Sequence, residues 1–255
     1  KKIWVAGHNG MVGSAIVRKL IKEDCNVIKA NKKELNLVNQ EDTNNWIKNN
    51  KPEIIILAAA KVGGIKFNML NKTDFLYENL MIQNNVIFSA AKYDVEKLIF
   101  IGSSCIYPKE TPQPIEESSL LKGPLEETNE GYALAKITGL KLCKYINEEF
   151  NKSFISVMPS NVFGINDNFD PDNSHVLGAL LRKIYNAKVS GKKKIEIWGT
   201  GKPRREFLYV DDLADAIFFL LKNYNSPLPI NVGTSKDISI TELALKIAEI
   251  LDHKI

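Results

Sequence analysis

Three groups of residues in this chain have types and spacings that could do chemistry. The first is the stretch SSCIYP at 103–108, where the thiol of Cys105 sits among hydroxyl residues directly after the apolar run KLIFIG. Cysteine at such a place is either a small buried hydrophobe, its commoner use, or a thiol held over a substrate. The second is GYALAK, which sets Tyr132 and Lys136 four residues apart and so on one helical face. An ammonium beside a phenol lowers the phenol's pKa toward the working range. The phenol can then give or take a proton at a carbonyl while hydride moves to or from a nicotinamide. Ser103 would hydrogen-bond the same oxygen.

The third group is VAGHNGMVGSAI, with Gly7, Gly10 and Gly13 between an apolar strand and a helix. Gly7 permits a tight turn, Gly10 a close approach by pyrophosphate, and Gly13 close packing of helix on sheet. The helix N-terminus then offers its unpaired N–H groups to the phosphates. An NAD site wants a carboxylate after the second strand for the ribose 2′-hydroxyl. Here VIKANKKELNL places Lys29, Lys32 and Lys33 in that region, which suits the 2′-phosphate of NADP(H).

The elements that must position these groups alternate. Apolar runs at 3–7, 25–30, 53–60, 97–104 and 154–160 read as strands; 11–22, 41–49, 74–92 and 131–149 read as helices. Such alternation predicts an α/β fold of Rossmann type, a doubly wound parallel sheet, with a smaller C-terminal substrate-binding lobe. Residues 1–160 form the expected dinucleotide-binding domain. Residues 161–255 form mainly the substrate lobe, with segments returning to the sheet. Beyond a long polar loop, a helix is expected from about Ser174, short elements at IEIWG, EFLYV and PINVG, and helices on 211–223 and 239–251. Asp211 and Asp212 are expected to cap the first of these last two.

Composition narrows the class. The chain has 255 residues, 44% of them hydrophobic, and 34 basic against 30 acidic residues for a net charge of +4. That balance gives no nucleic-acid signature, and the lysines of SGKKKIEIWG read as a solvated turn. The three cysteines have no paired spacing, which argues against disulfides and structural zinc and for a reducing compartment. No apolar stretch nears the roughly 18 residues of a membrane span. The opening KKIWVAG reads as a strand, not a signal peptide, so a soluble cytoplasmic protein is expected.

Together, GHNGMVGSAI, AAAKVGGI, GSSCIYPK, YALAKI, SVMPSNVFG, DNSHV and REFLYVDD resemble the extended short-chain dehydrogenase/reductase family. Within it they are similar to the enzymes that epimerise GDP-4-keto-6-deoxy-D-mannose at C3 and C5 and reduce it at C4 with NADPH. The resemblance runs from Ile3 to the last helix and implies a small-molecule nucleotide-sugar substrate and a homodimer through a helix pair. It also implies a chain that continues past Ile255. By motif match, Cys105 is the base and His175 the acid of epimerisation. Tyr132 is the proton donor of reduction, Ser103 assists it, and Lys136 tunes Tyr132 and binds the nicotinamide ribose. The implied cofactor contacts are Gly7, His8, Asn9, Gly10, Met11, Val12 and Gly13 in the loop, then Lys32 and Leu37, and Ala59 and Ala60. They continue with Ile101, Gly102, Ser103 and Ser104, with Tyr132 and Lys136, and with Pro159, Asn161, Val162 and His175. Lys183, Trp198 and Arg205 fall at positions that hold the substrate, Arg205 on the diphosphate. Two departures stand out: Asn9 and Lys183 occupy places where the family often has arginine.

Overall fold

The computed structural model describes residues 1–170 and 173–254. The aspartate of DNSHV, Asp172, lies outside them. Five apolar segments form parallel strands: β1 (Lys2–Ala6), β2 (Asn26–Ile28), β3 (Ile54–Leu57), β4 (Lys97–Ile101) and β5 (Ser153–Pro159). A later strand, β8 (Ile230–Val232), adds to the edge of β5, giving the order β2-β1-β3-β4-β5-β8. β3 and β4 are buried at every position, as strands covered on both faces must be.

The crossovers lay helices on both faces. Helices α2 (Gln40–Asn50), α4 (Lys72–Lys92) and α5 (Glu130–Phe150) cover one face, with Ile47, Val86, Ile87, Leu140 and Ile146 packed on Trp4, Ile55, Leu98 and Phe100. α1 (Met11–Lys22) and α7 (Val210–Asn223) cover the other, where Ile16, Leu20, Leu213 and Ile217 meet Val5, Ile56 and Ile155. Two chain directions diverge from β1 and β3, so a crevice opens at their C-terminal ends, the place where ligands bind in doubly wound sheets.

A second sheet of β6 (Asn161–Phe163), β7 (Arg204–Tyr209) and β9 (Asp237–Ser239) stands beside the first. α6 (Val176–Val189) and α8 (Ile240–Ile250) pack on one another through Leu180, Ile184, Leu243 and Ile247. A short helix, α3 (Ile65–Leu70), follows the VGG turn.

Several expectations change in detail. The second strand shrinks to Asn26–Ile28 and the third ends at Leu57, since the chain must leave the sheet to turn around the crevice. IEIWG is not a strand: Ile195 and Ile197 pack on the α6–α8 cluster, while the Lys183 amine donates to the Glu196 carbonyl at 2.6 Å. Asp211 and Asp212 lie in the first turn of α7 without capping it; Tyr209 is the N-cap residue, and Asp211 pairs with Arg18 of α1. That ion pair ties two helices that already share a core.

Candidate active site

The turn after β1 is built from what its glycines lack. Gly7 has φ +90°, and a Cβ there would lie 2.5 Å from the Ala59 nitrogen. A Cβ on Gly13 would collide with the Gly7 carbonyl. The first turn of α1 carries no acidic residue, and its N-cap Gly10 supplies no capping side chain, so its N–H groups face the crevice. Beside it, His8 Nδ1 is buried without a partner, and burial, with Lys29 adding, pushes the imidazole pKa down. A cradle with no room for side chains, an unopposed helix N-terminus and an orphaned ring nitrogen fit a dinucleotide phosphate group.

From this cradle one cleft of about 2870 Å³ runs to the second sheet. Every catalytic, cofactor and substrate residue implied by the resemblance lines it, including Lys183, Trp198 and Arg205. Of the three lysines after β2, only Lys32 does so; Lys29 acts electrostatically on His8. Asn161 points elsewhere in part: its amide donates to the Glu206 carbonyl at 3.0 Å, pinning β6 to β7.

At the centre, Lys136 is buried at 3% exposure, its amine 2.8 Å from the Ile101 carbonyl and 5.6 Å from the Tyr132 ring centroid. Burial pushes this amine down to about 8, with Cys105 opposing. Tyr132 is packed edge-on against Phe75 at 6.4 Å. Its phenol moves up rather than down: burial dominates and the nearby Cys105 adds to it, while the ammonium is turned to Ile101. The expectation of a lysine-depressed phenol is therefore not met: burial decides the direction.

Ser103 and Cys105 are placed by a turn and not by the strand expected over 97–104. β4 ends at Ile101, and residues Ser104–Ile106 form a single 3-10 turn whose N-cap is Ser103. The Ser103 hydroxyl accepts the Cys105 N–H at 3.3 Å, and both side chains reach the cleft because the chain has turned. Burial pushes the Cys105 thiol up to about 11; Ser103 and Lys136 pull it the other way and lose.

His175 is the N-cap residue of α6 and lines the same cleft as this turn. The glycines of AAAKVGG set it there. Gly64 donates its N–H to the Asn173 carbonyl at 2.9 Å, and its missing Cβ leaves the space that the Ser174 carbonyl fills. Asn79 in turn holds the loop, accepting the Lys61 N–H at 2.9 Å and donating to the Lys61 carbonyl at 3.0 Å. Surroundings that desolvate the imidazole lower its pKa, and the Asp167 carboxylate opposes them.

Sequence reasoning passed over two residues of this wall. Asn129 precedes α5, three positions before Tyr132, and its buried Oδ1 has no partner. Its position before the Tyr–Lys helix was the available signal. Asp167 lies in the long polar loop, where composition distinguishes no single residue.

The NAD dependent epimerase/dehydratase family matches residues 3–233. A GDP-L-fucose synthase of Sinorhizobium fredii is 50% identical over 254 residues, covering 100% of this chain and 81% of that protein. The GDP-L-fucose synthetase of Naegleria fowleri, solved with NADP, aligns with a TM-score of 0.91 at 31% identity, covering 100% of this chain and 80% of the other. A GDP-mannoheptose C4 reductase of Campylobacter jejuni, also with NADP bound, gives 0.92 at 38% identity, covering 99% and 84%. The crevice at the sheet's switch point and the glycine cradle agree with these likenesses. The chain belongs to the NAD dependent epimerase/dehydratase family, among its extended short-chain dehydrogenase/reductases, as an enzyme of the epimerase/reductase type with a nicotinamide dinucleotide as its cofactor.

Proposed function

We propose that this enzyme converts GDP-4-keto-6-deoxy-D-mannose to GDP-L-fucose, epimerising C3 and C5 and reducing C4 with NADPH. The observation that carries the reading is the pair Cys105 and His175, on two different elements of the cleft that also holds Ser103, Tyr132 and Lys136. Gly7, Gly10, Gly13 and the head of α1 would hold the pyrophosphate, Lys32 the 2′-phosphate, and Lys136 the nicotinamide ribose. NADPH, when bound, supplies the hydride to the C4 carbon.

The 4-ketone acidifies the flanking C–H bonds, because the electron pair left behind is shared with the ketone oxygen. Ser103 and Tyr132 donate to that oxygen and stabilise its growing charge. Cys105 as thiolate takes the proton from C3 or C5, and the pair of electrons moves into the enolate. His175 returns a proton to the same carbon from the other face. Each event leaves a thiol and a neutral imidazole, which exchange with water before the next. In the final step Tyr132 gives its phenolic proton to the C4 oxygen, and Lys136 favours the phenolate that remains. Arg205, Lys183 and Trp198 receive the nucleoside diphosphate, the guanidinium suiting a forked phosphate contact.

A C4 reductase without epimerisation is the second reading, favoured by a thiol at about 11, a poor base near neutrality. Incubation with GDP-4-keto-6-deoxymannose and NADPH in D2O separates the two. The proposal expects loss of reduced nicotinamide absorbance and deuterium at C3 and C5. Cys105→Ser should slow deuterium uptake far more than it weakens NADPH binding, and Tyr132→Phe should chiefly slow reduction, by ~10²–10⁴-fold. Oxidation of NADPH without deuterium would establish the plain reductase.

The assembly we propose is a homodimer through helices α4 and α5, which expose Tyr77, Phe88, Leu134 and Tyr145. A monomer in sedimentation at micromolar concentration would exclude it.

A further inference from the structure

Several buried polar atoms of the cleft have no protein partner. Among the described residues, Asn68, Asn129, Ser160 and Ser174 line it, each with an orphaned side-chain oxygen. Folded proteins rarely leave such atoms unmet, so each marks either a cost or a place that a ligand completes. Asn68 spends its amide nitrogen on the Gly63 and Gly64 carbonyls, at 2.7 and 3.1 Å, and so braces the VGG turn. Ser160 and Ser174 each present a lone hydroxyl, one after Pro159 and one before His175. Asn129 differs: among the described residues no hydrogen bond engages either end of its carboxamide.

The backbone beneath this side chain is fixed. The Asn129 N–H meets the Glu126 carbonyl at 3.2 Å, and the Asn129 carbonyl accepts the Ala133 N–H at 3.0 Å. A Cβ on Gly131 would lie 2.9 Å from the Lys72 carbonyl, so the head of α5 sits hard against α4. Asn129 is the N-cap residue of α5, where asparagine ordinarily turns its oxygen onto an N–H of the first turn. Here it makes no such bond. Asn129, Tyr132 and Lys136 stand at i, i+3 and i+7, which is one helical face, and all three line the cleft.

We propose that Asn129 is a specificity-determining residue: its uncommitted carboxamide binds the sugar hydroxyl on C3, beside the ketone that Tyr132 holds. The inference rests on the reading of Tyr132 as the group at the C4 oxygen. Three residues toward the helix N-terminus is a step of about 4.5 Å along the axis, which carries the contact from C4 to a neighbouring ring carbon. Of the two neighbours, C5 bears a methyl group and the ring oxygen, and only C3 bears a hydroxyl. A hydroxyl both donates and accepts. So does a carboxamide, whereas an ammonium only donates and a carboxylate only accepts. Rotation about the Cβ–Cγ bond of Asn129, which no hydrogen bond restrains, presents either end of the amide to the sugar. The bound hydroxyl supplies the partner that Oδ1 lacks, and a sugar without it leaves the amide unmet.

The test compares GDP-4-keto-6-deoxymannose with its 3-deoxy analogue in the full chain, by initial rates of NADPH oxidation. The wild type should prefer the hydroxylated sugar in kcat/KM by about tenfold or more, because the analogue leaves a buried polar group unpaired. Asn129→Ala should lose about tenfold with the hydroxylated sugar and less than about twofold with the analogue, so the preference collapses. NADPH affinity should not change. The melting temperature should hold or rise, since an orphaned oxygen is removed, whereas loss of a working N-cap would lower it. If Asn129→Ala does not fold, Asn129→Asp takes its place: it keeps the size and the acceptor, loses the donor, and should also lower the preference. A wild type without preference overturns the proposal, and so does a preference unchanged in a folded variant, whether both rates fall together or neither falls. A wild type that oxidises no NADPH with either sugar overturns the reading of the reaction, and this proposal with it.

Discussion

At Cys105 two effects of opposite sign meet. Desolvation favours the neutral thiol, whereas the Ser103 hydroxyl and the Lys136 ammonium favour the thiolate, and desolvation wins at about 11. Lys136 itself ionises at about 8, so its support fades above that pH. Alkylation by iodoacetamide, followed residue by residue by mass spectrometry, should therefore find Cys25 reacting first. Cys105 should be slow at pH 7 and rise toward pH 11, and Cys143, buried at about 12, should stay inert. Lys136→Gln should move the Cys105 midpoint upward; a Cys105 midpoint near 8 in the wild type would mean that the thiol is solvated. The sequence makes Tyr132, Lys136 and the glycines legible because their chemistry is tied to fixed spacing on one element. It makes the depression of the phenol pKa look plausible because proximity can be counted along a helix. Burial cannot be counted that way, and burial decides the sign.

Elements were legible where they are long and periodic, as in α1, α4, α5 and the buried strands. β6, β9 and α3 were not, since each is short and mixes polar with apolar residues, so that no apolar run marks it. The 3-10 turn at Ser104–Ile106 escaped for the same reason, although it aims the thiol. The glycine turn makes the clearest element-scale prediction. In Gly13→Ala the new methyl would overlap the Gly7 carbonyl, and the start of α1 must move to relieve it. Overpacking of this kind costs about 1–3 kcal/mol. Spent on opening the turn, it draws the helix N-terminus off the pyrophosphate. NADPH affinity measured by calorimetry should fall about tenfold or more, with secondary structure by circular dichroism retained. Wild-type affinity in this variant would show that the turn has slack the packing does not suggest.

Across the whole molecule, the two sheets meet at the edge strand β8, and a few polar residues make the seam. The Glu206 carboxylate of β7 accepts the backbone N–H groups of Thr234 and Ser235 just beyond β8, the second at 2.9 Å, and a Cβ on Gly233 would collide with it. Asn231 of β8 accepts the Tyr107 hydroxyl at 2.6 Å, so the same strand also holds the end of SSCIYP. The end of the cleft proposed for the nucleotide, with Arg205 next to Glu206, is thus registered through one strand against the turn proposed as catalytic. Glu206→Gln keeps the size of the side chain and removes its charge. Hydrogen bonds to charged groups contribute about 1.5–3 kcal/mol each, so much of the seam's polar stabilisation should go. The melting temperature should drop, and amide exchange at Thr234 and Ser235 should accelerate. GDP affinity should weaken several-fold as Arg205 loses its register, while NADPH, held at the other end of the sheet, binds within twofold of wild type. A lower melting temperature with both affinities unchanged would leave the seam a structural joint only. Equal weakening of both ligands would mean that the two ends of the cleft respond as one body.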